Sequence, residues 1–300
     1  MIFSALLYYL VLLPVSLLPF SVLHVISRIV YVILYDLAGY RKKVVTANLR
    51  NSFPELSEEE CAVIARKFYR HLCDVLLESQ KIFTISKKQL ALHIQCTNPE
   101  VVNHYFDQGK NVIIAVGHYN SWELMLTGFN TFFKHRAVVI YKPLNNKYFD
   151  QKMIDARSKQ GTVMLPVNDV KSFFTNPQNE IFAMVFAIDQ SPPNPDKSYW
   201  MKFLHQDTAV LFGTEYYAKA YNLPVIYSRL KKVKRGYYQL EFVEVTNTPS
   251  EKTYGEITEK VTHLLEQDII AQPEYWLWSH RRWKHKKGEG EGEGEGYVNQ

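Results

Sequence analysis

Gly117-His118-Tyr119-Asn120-Ser121-Trp122-Glu123 is the stretch on which the reading of this chain turns. A short apolar run, Val112 to Val116, precedes it and reads as a buried strand. Leu124-Met125-Leu126-Thr127-Gly128-Phe129 follows and reads as the first turns of a helix. A histidine at a strand's end, with an acid just inside the next helix, suits general-base chemistry at the carboxyl edge of a parallel sheet.

The spacing matters. On one uninterrupted helix His118 and Glu123 would sit ~140° apart and never meet. With His118 on the turn and Glu123 in the first helical turn, the two side chains can converge. Glu123 then accepts from one imidazole nitrogen, and the other is free to take a proton from a substrate hydroxyl. A second reading stands beside this one: Asn120 as N-cap makes Glu123 its N3 partner, in a capping-box-like Asn-x-x-Glu, and leaves His118 an ordinary loop histidine. The two readings are not exclusive.

Outward from this stretch, apolar runs alternate with helical segments. The strand candidates are Val112–Val116, Ala137–Tyr141, Thr162–Leu165, Phe182–Ile188, Pro224–Arg229 and Tyr237–Val243. Helices are expected between most of them, at Ser121–Phe133, Lys147–Gln160, Val170–Thr175 and Thr208–Tyr221, with a last one over Tyr254–Ala271. Upstream, Ser57 with Glu60 forms a capping box opening a helix that runs to about Lys81. The rhythm predicts an α/β fold with a mostly parallel central sheet flanked by helices, the last strand returning antiparallel.

The 300 residues suit one large domain with appendages. Ile2 to Leu23 carries no charged side chain, a length able to span a bilayer, although Pro14 and Pro19 interrupt it. We therefore expect residues 1–35 to form a transmembrane or interfacial helix. The basic Arg28, Arg41, Lys42 and Lys43 that follow place the remainder on the cytoplasmic side. Residues 36–285 are expected to hold the main domain, and 286–300 a disordered Gly-Glu tail. The 20 Tyr and 17 Phe fit contact with lipid. Removing the four tail acids from the formal charge of +5 leaves a body of +9, suited to anionic lipid, nucleic acid or an acidic protein. The three cysteines show no CxxC spacing and read as buried, reduced thiols.

Further candidates lie near the same sheet edge. Lys142 ends the second strand candidate and Arg157 follows fifteen residues on; both suit a phosphate or sugar phosphate. Asp189-Gln190 ends the run Phe182 to Ile188 and faces the edge that carries His118. Phe203-Leu204-His205 and Leu211-Phe212-Gly213-Thr214 are candidates for an acyl-chain slot. Lys231-Lys232-Val233-Lys234-Arg235 is a basic hairpin suited to lipid headgroups or an acidic carrier. Gln272 to Lys284, dense in Trp and Arg, suits a membrane interface or a stacked ligand. For Arg157, Asp189-Gln190 and the hairpin, a solvated face or simple turn is the competing reading. No HxxxH, HExxH, Walker loop, GxGxxG or GxSxG occurs, so no metal or nucleotide cofactor is expected.

Taken in order, these motifs resemble the bacterial lipid A late acyltransferases, a branch of the lysophospholipid acyltransferase superfamily. The resemblance runs from about Tyr9 to Lys284. It is carried by Tyr40 to Arg50 and Phe53-Pro54-Glu55, the HxxxxE box at His118 and Glu123, Tyr141-Lys142-Pro143, Arg157 to Gly161 and Asp189-Gln190. The terminal Pro273-Glu274-Tyr275-Trp276-Leu277-Trp278-Ser279-His280-Arg281-Arg282-Trp283-Lys284 completes it. It implies His118 as general base oriented by Glu123, with Lys142, Arg157, Asp189 and Gln190 binding substrate. It also implies an acyl carrier protein donor, a lipid A precursor or related anionic lipid as acceptor, the inner face of the bacterial inner membrane, and no nucleic-acid partner. Position 142 is Lys where many relatives are expected to carry Arg, which removes a bidentate fork. A lysophospholipid or aminolipid acceptor, and a non-catalytic lipid-binding protein, are the alternatives.

Overall fold

The computed structural model describes residues 2–176 and 178–287, so most of the Gly-Glu tail lies outside the described residues. Nine strands are described: β1 Ile94–Cys96, β2 Val112–Val116, β3 Arg136–Tyr141, β4 Val163–Pro166, β5 Phe182–Ala187, β6 Tyr199–Phe203, β7 Gln206–Val210, β8 Val225–Lys234 and β9 Tyr237–Thr246. Seven of them form one sheet in the order β1-β9-β8-β2-β5-β3-β4, and β6 and β7 form a separate hairpin. Every neighbouring pair in the large sheet is parallel except β8 with β9. This is the expected α/β class with a mostly parallel sheet between helices.

All five residues of β2 are buried, as a central parallel strand covered on both faces requires. Its two faces feed two apolar clusters. Ile113 and Ala115 pack under the helix Glu256–Ala271, while Val112, Ile114 and Val116 pack under the helix Trp122–Phe132. The Ser57–Glu60 capping box opens the helix Glu58–Glu78 as expected.

Two elements differ from expectation. The run Thr208–Tyr221 is not one helix. Gln206–Val210 pairs with Tyr199–Phe203, and the helix begins only at Gly213. At the amino terminus the chain breaks at Leu18-Pro19, where ψ of both is extended. The segment long and apolar enough to cross a bilayer is therefore Phe20–Leu37, not Ile2–Leu23. One face of it docks on the helix Glu58–Glu78. His24 bonds Glu78 at 2.8 Å, and Ser27 donates to Asp74 at 2.6 Å. The other face leaves Val25, Ile29 and Ile33 more than half exposed.

Two other expectations are corrected by packing. Phe203 and Leu204 are buried in the core rather than along the His118 cleft. In the basic hairpin Lys231 and Lys234 stay exposed, while Arg235 pairs with Asp74 and Lys232 approaches His71. The aromatic stretch near the carboxyl terminus is also interior, with Trp276 and Trp278 almost fully buried. Cys61 and Cys73 are buried and all three cysteines are free; burial pushes the Cys73 thiol up to about 12.

Candidate active site

β2 and β5 are parallel neighbours, with Val116 opposite Ala187. His118 and Asp189 each lie two residues further along, so the ladder delivers both to one point at the sheet's carboxyl edge. There His118 Nδ1 is 2.7 Å from Asp189 Oδ1, and the His118 backbone N–H donates to Asp189 Oδ2 at 2.8 Å. Trp276 Nε1 donates to the same Oδ2 at 2.9 Å. Three donors thus converge on one buried carboxylate. Burial alone would raise the Asp189 pKa, but the His118 charge and these hydrogen bonds hold it at about 2. Burial alone would lower the His118 pKa; the Asp189 carboxylate reverses this, and the net shift is upward.

An ionised Asp189 fixes the imidazole with its proton on Nδ1 and presents Nε2 as an acceptor. The Gln190 side-chain amide nitrogen lies 3.1 Å from that Nε2. The Trp122 ring meets the imidazole edge to face at 5.3 Å and limits its rotation.

The Glu123–His118 contact expected from the sequence is not formed. Arg157, on the helix Lys147–Ser158, occupies both Glu123 oxygens: Nε to Oε2 at 2.9 Å and Nη2 to Oε1 at 2.6 Å. The capping-box reading fails as well. Asn120 has φ +56°, a left-handed conformation that Asn tolerates, and its amide donates to the Leu230 carbonyl. The N-cap is Ser121, one residue later.

His118, Glu123, Lys142, Arg157 and Gln190 all line one cleft of about 650 Å³, within the range of small-molecule sites. Asp189 sits behind His118, outside it. The polar groups stand together, and the rest of the wall is mostly apolar, including Phe83, Leu126, Phe149 and Met153. Leu12, from the amino-terminal helices, closes part of it. Lys142 is exposed at the mouth.

The carboxyl-terminal stretch holds this edge from below. Tyr119 bridges Trp276 as in an antiparallel pair, and Asn120 N–H donates to the Tyr275 carbonyl. Asn48 donates to the carbonyls of Trp278 and His280, Arg41 to that of Ser279, and buried Arg282 to that of Ala209. His280 in turn accepts from the Ser191 backbone, next to Gln190. These contacts tie Tyr40–Arg50 to the terminal Trp/Arg stretch, two segments that the sequence pairs only by their order. Trp276 is the site residue that sequence reasoning missed; the signal was a tryptophan in a dense motif, read there as an interfacial one.

Among relatives, the lipid A biosynthesis lauroyltransferase of Escherichia coli K12 is 22% identical over 260 residues, covering 81% of this chain and 79% of its own. The lipid A biosynthesis palmitoleoyltransferase of the same organism and a lipid A biosynthesis acyltransferase of Shigella flexneri are each 21% identical over 246 residues, with the same coverage. The family described as bacterial lipid A biosynthesis acyltransferase matches residues 1–285, and this chain belongs to it.

Proposed function

We propose that the protein transfers a fatty acyl chain from acyl carrier protein to a hydroxyl of a lipid A precursor, with His118 as general base oriented by Asp189. The observation that carries this reading is the geometry at His118: Nδ1 is held by a buried carboxylate, and Nε2 opens at the polar end of an apolar cleft. Family membership supplies the acyl-transfer class and the lipid A-type acceptor.

In the proposed reaction the acceptor hydroxyl replaces the Gln190 amide at His118 Nε2 and gives up its proton there. Its oxygen attacks the thioester carbonyl carbon of the donor. The tetrahedral intermediate collapses, the C–S bond breaks, and the imidazolium returns the proton to the leaving thiolate. The products are an ester and the free thiol of the carrier, so no protein nucleophile is required. Asp189 stabilises the imidazolium throughout. Lys142 at the mouth supplies positive charge for the oxyanion or the acceptor phosphate. Glu123 neutralises and positions Arg157, leaving its Nη1 to donate to the acceptor phosphate. The acyl chain lies among Leu126, Phe149 and Met153.

The apolar outer face of Phe20–Leu37 supports attachment to a membrane, in this reading the cytoplasmic face of the bacterial inner membrane. Because that helix packs lengthwise on Glu58–Glu78, we place it along the surface rather than across it.

The test is transfer of labelled acyl chain from acyl carrier protein to a lipid A precursor by membranes carrying wild type or His118→Ala. Wild-type transfer that falls roughly 10²–10⁴-fold in the variant is expected. Equal transfer by both removes His118 from the mechanism. Transfer to a lysophospholipid but not to the lipid A precursor reassigns the acceptor.

A further inference from the structure

A second cleft, of about 530 Å³, lies between the helix Phe20–Tyr31 and the helix Glu58–Glu78 and shares no residue with the His118 cleft. Three guanidinium groups and one carboxylate line it: Arg28, Arg70, Arg235 and Asp74. Asp74 is already spent. Arg235 grips it through Nε at 2.8 Å and Nη2 at 2.6 Å, and Ser27 donates to it as well. Arg235 keeps its Nη1 free of these bonds. Arg70 lies against the Tyr31 ring, 5.5 Å from its centre, and Arg28 has neither a hydrogen bond nor an ion pair among the described residues. The cleft lining therefore carries a positive excess, three guanidinium groups against one carboxylate, with Asp36 near Tyr31 but outside the lining.

Arg28 is also placed where an unpaired charge is costly. Val25, Arg28, Ile29 and Val32 recur at the spacing of one helical face, and the three apolar members are 57, 59 and 46% exposed. A guanidinium inside a lipid-facing stripe needs an anion at headgroup depth. A phosphate fits Arg in a way that water or a carbonyl does not, through paired N–H donors.

We propose that this cleft binds the phosphate of an anionic membrane phospholipid, with its acyl chains along the exposed face of Phe20–Leu37. The apolar stripe adjoining the arginines favours a lipid phosphate over a free one. The inference rests on the proposed membrane attachment, and the test separates the two.

Full-length protein is sedimented with vesicles of phosphatidylcholine alone, and of phosphatidylcholine mixed with phosphatidylglycerol. Wild type should bind the mixed vesicles more tightly. Arg28→Gln/Arg70→Gln should lose roughly tenfold to thirtyfold of that preference and keep its binding to phosphatidylcholine. A control, Lys110→Gln/Lys171→Gln, removes two exposed charges that line neither cleft and should keep the preference. An equal loss in the control assigns the effect to overall charge and overturns the site. Arginine-dependent binding of inorganic phosphate without vesicles, combined with no preference for the mixed vesicles, overturns the lipid assignment in favour of free phosphate. Binding to neither vesicle overturns membrane attachment, and this inference with it.

Discussion

Both oxygens of Glu123 are held by Arg157, and each side chain keeps less than a fifth of its surface exposed. A pair so gripped acts as a unit. Glu123→Gln and Arg157→Gln should each lower kcat/KM, and each should cost about 1–3 kcal/mol of stability by stranding a partly buried charge. The double variant should lose little more than the worse single variant. A double-mutant cycle on kcat/KM and on unfolding free energy measures this; additive losses would show that the two side chains act separately.

Asp189→Asn should lower kcat by roughly 10²–10⁴-fold, because Asn cannot hold the imidazolium or fix the tautomer as a carboxylate does. The pH profile gives an independent readout. In wild type the His118 pKa lies above the ordinary 6.5, so the basic form, and with it activity, should rise with pH through a limb above 6.5. Without the carboxylate, burial is opposed only by the weaker Glu123 charge and lowers the pKa, so the limb should move to lower pH. Glu123→Gln should move it in the same direction by less, Asp189 being the stronger influence on His118. A limb that stays fixed in Asp189→Asn would rule out Asp189 as the partner.

How much of this site was legible follows from its topology. β2 and β5 were visible as apolar runs, and Asp189 was placed on the same edge as His118. What the runs cannot show is adjacency. β5 inserts between β2 and β3, and only that order puts Val116 opposite Ala187 and so Asp189 beside His118. Glu123 seemed the nearer acid because it is nearer in sequence; its true partner arrives on a helix beyond β3. The β6–β7 hairpin was missed for a local reason. Its turn places Leu204 and His205 at φ +48° and +63°, a conformation usually announced by Gly or Asn, and neither residue is present to announce it. The terminal tryptophans read as interfacial because Trp and Arg together suit either an interface or a hydrogen-bonded interior strap.

Trp276→Phe should retain most of the ring packing against Trp278 and Phe203 while deleting the N–H that reaches Asp189. The lost hydrogen bond to a charged acceptor should cost about 1.5–3 kcal/mol of stability. If Trp276 positions Asp189, kcat should fall while KM holds, since the residue touches neither substrate. Unfolding in denaturant and steady-state kinetics check both; an unchanged kcat would leave Trp276 a structural residue only.

The apolar wall of the cleft should set chain length. Leu126 and Met153 lie on different helices and both line it. Leu126→Trp shortens the space available, so long donors should lose more than short ones. Each methylene kept out of the cleft forfeits about 0.8 kcal/mol, close to fourfold in kcat/KM. Leu126→Ala should shift preference the other way, toward longer chains, at some cost in stability. Competition between carrier proteins loaded with different acyl lengths reads the ratio directly and is insensitive to the amount of active enzyme. If the Trp variant slows all lengths by one factor, the chain lies elsewhere, and Leu126 serves only to pack the helix that carries Glu123.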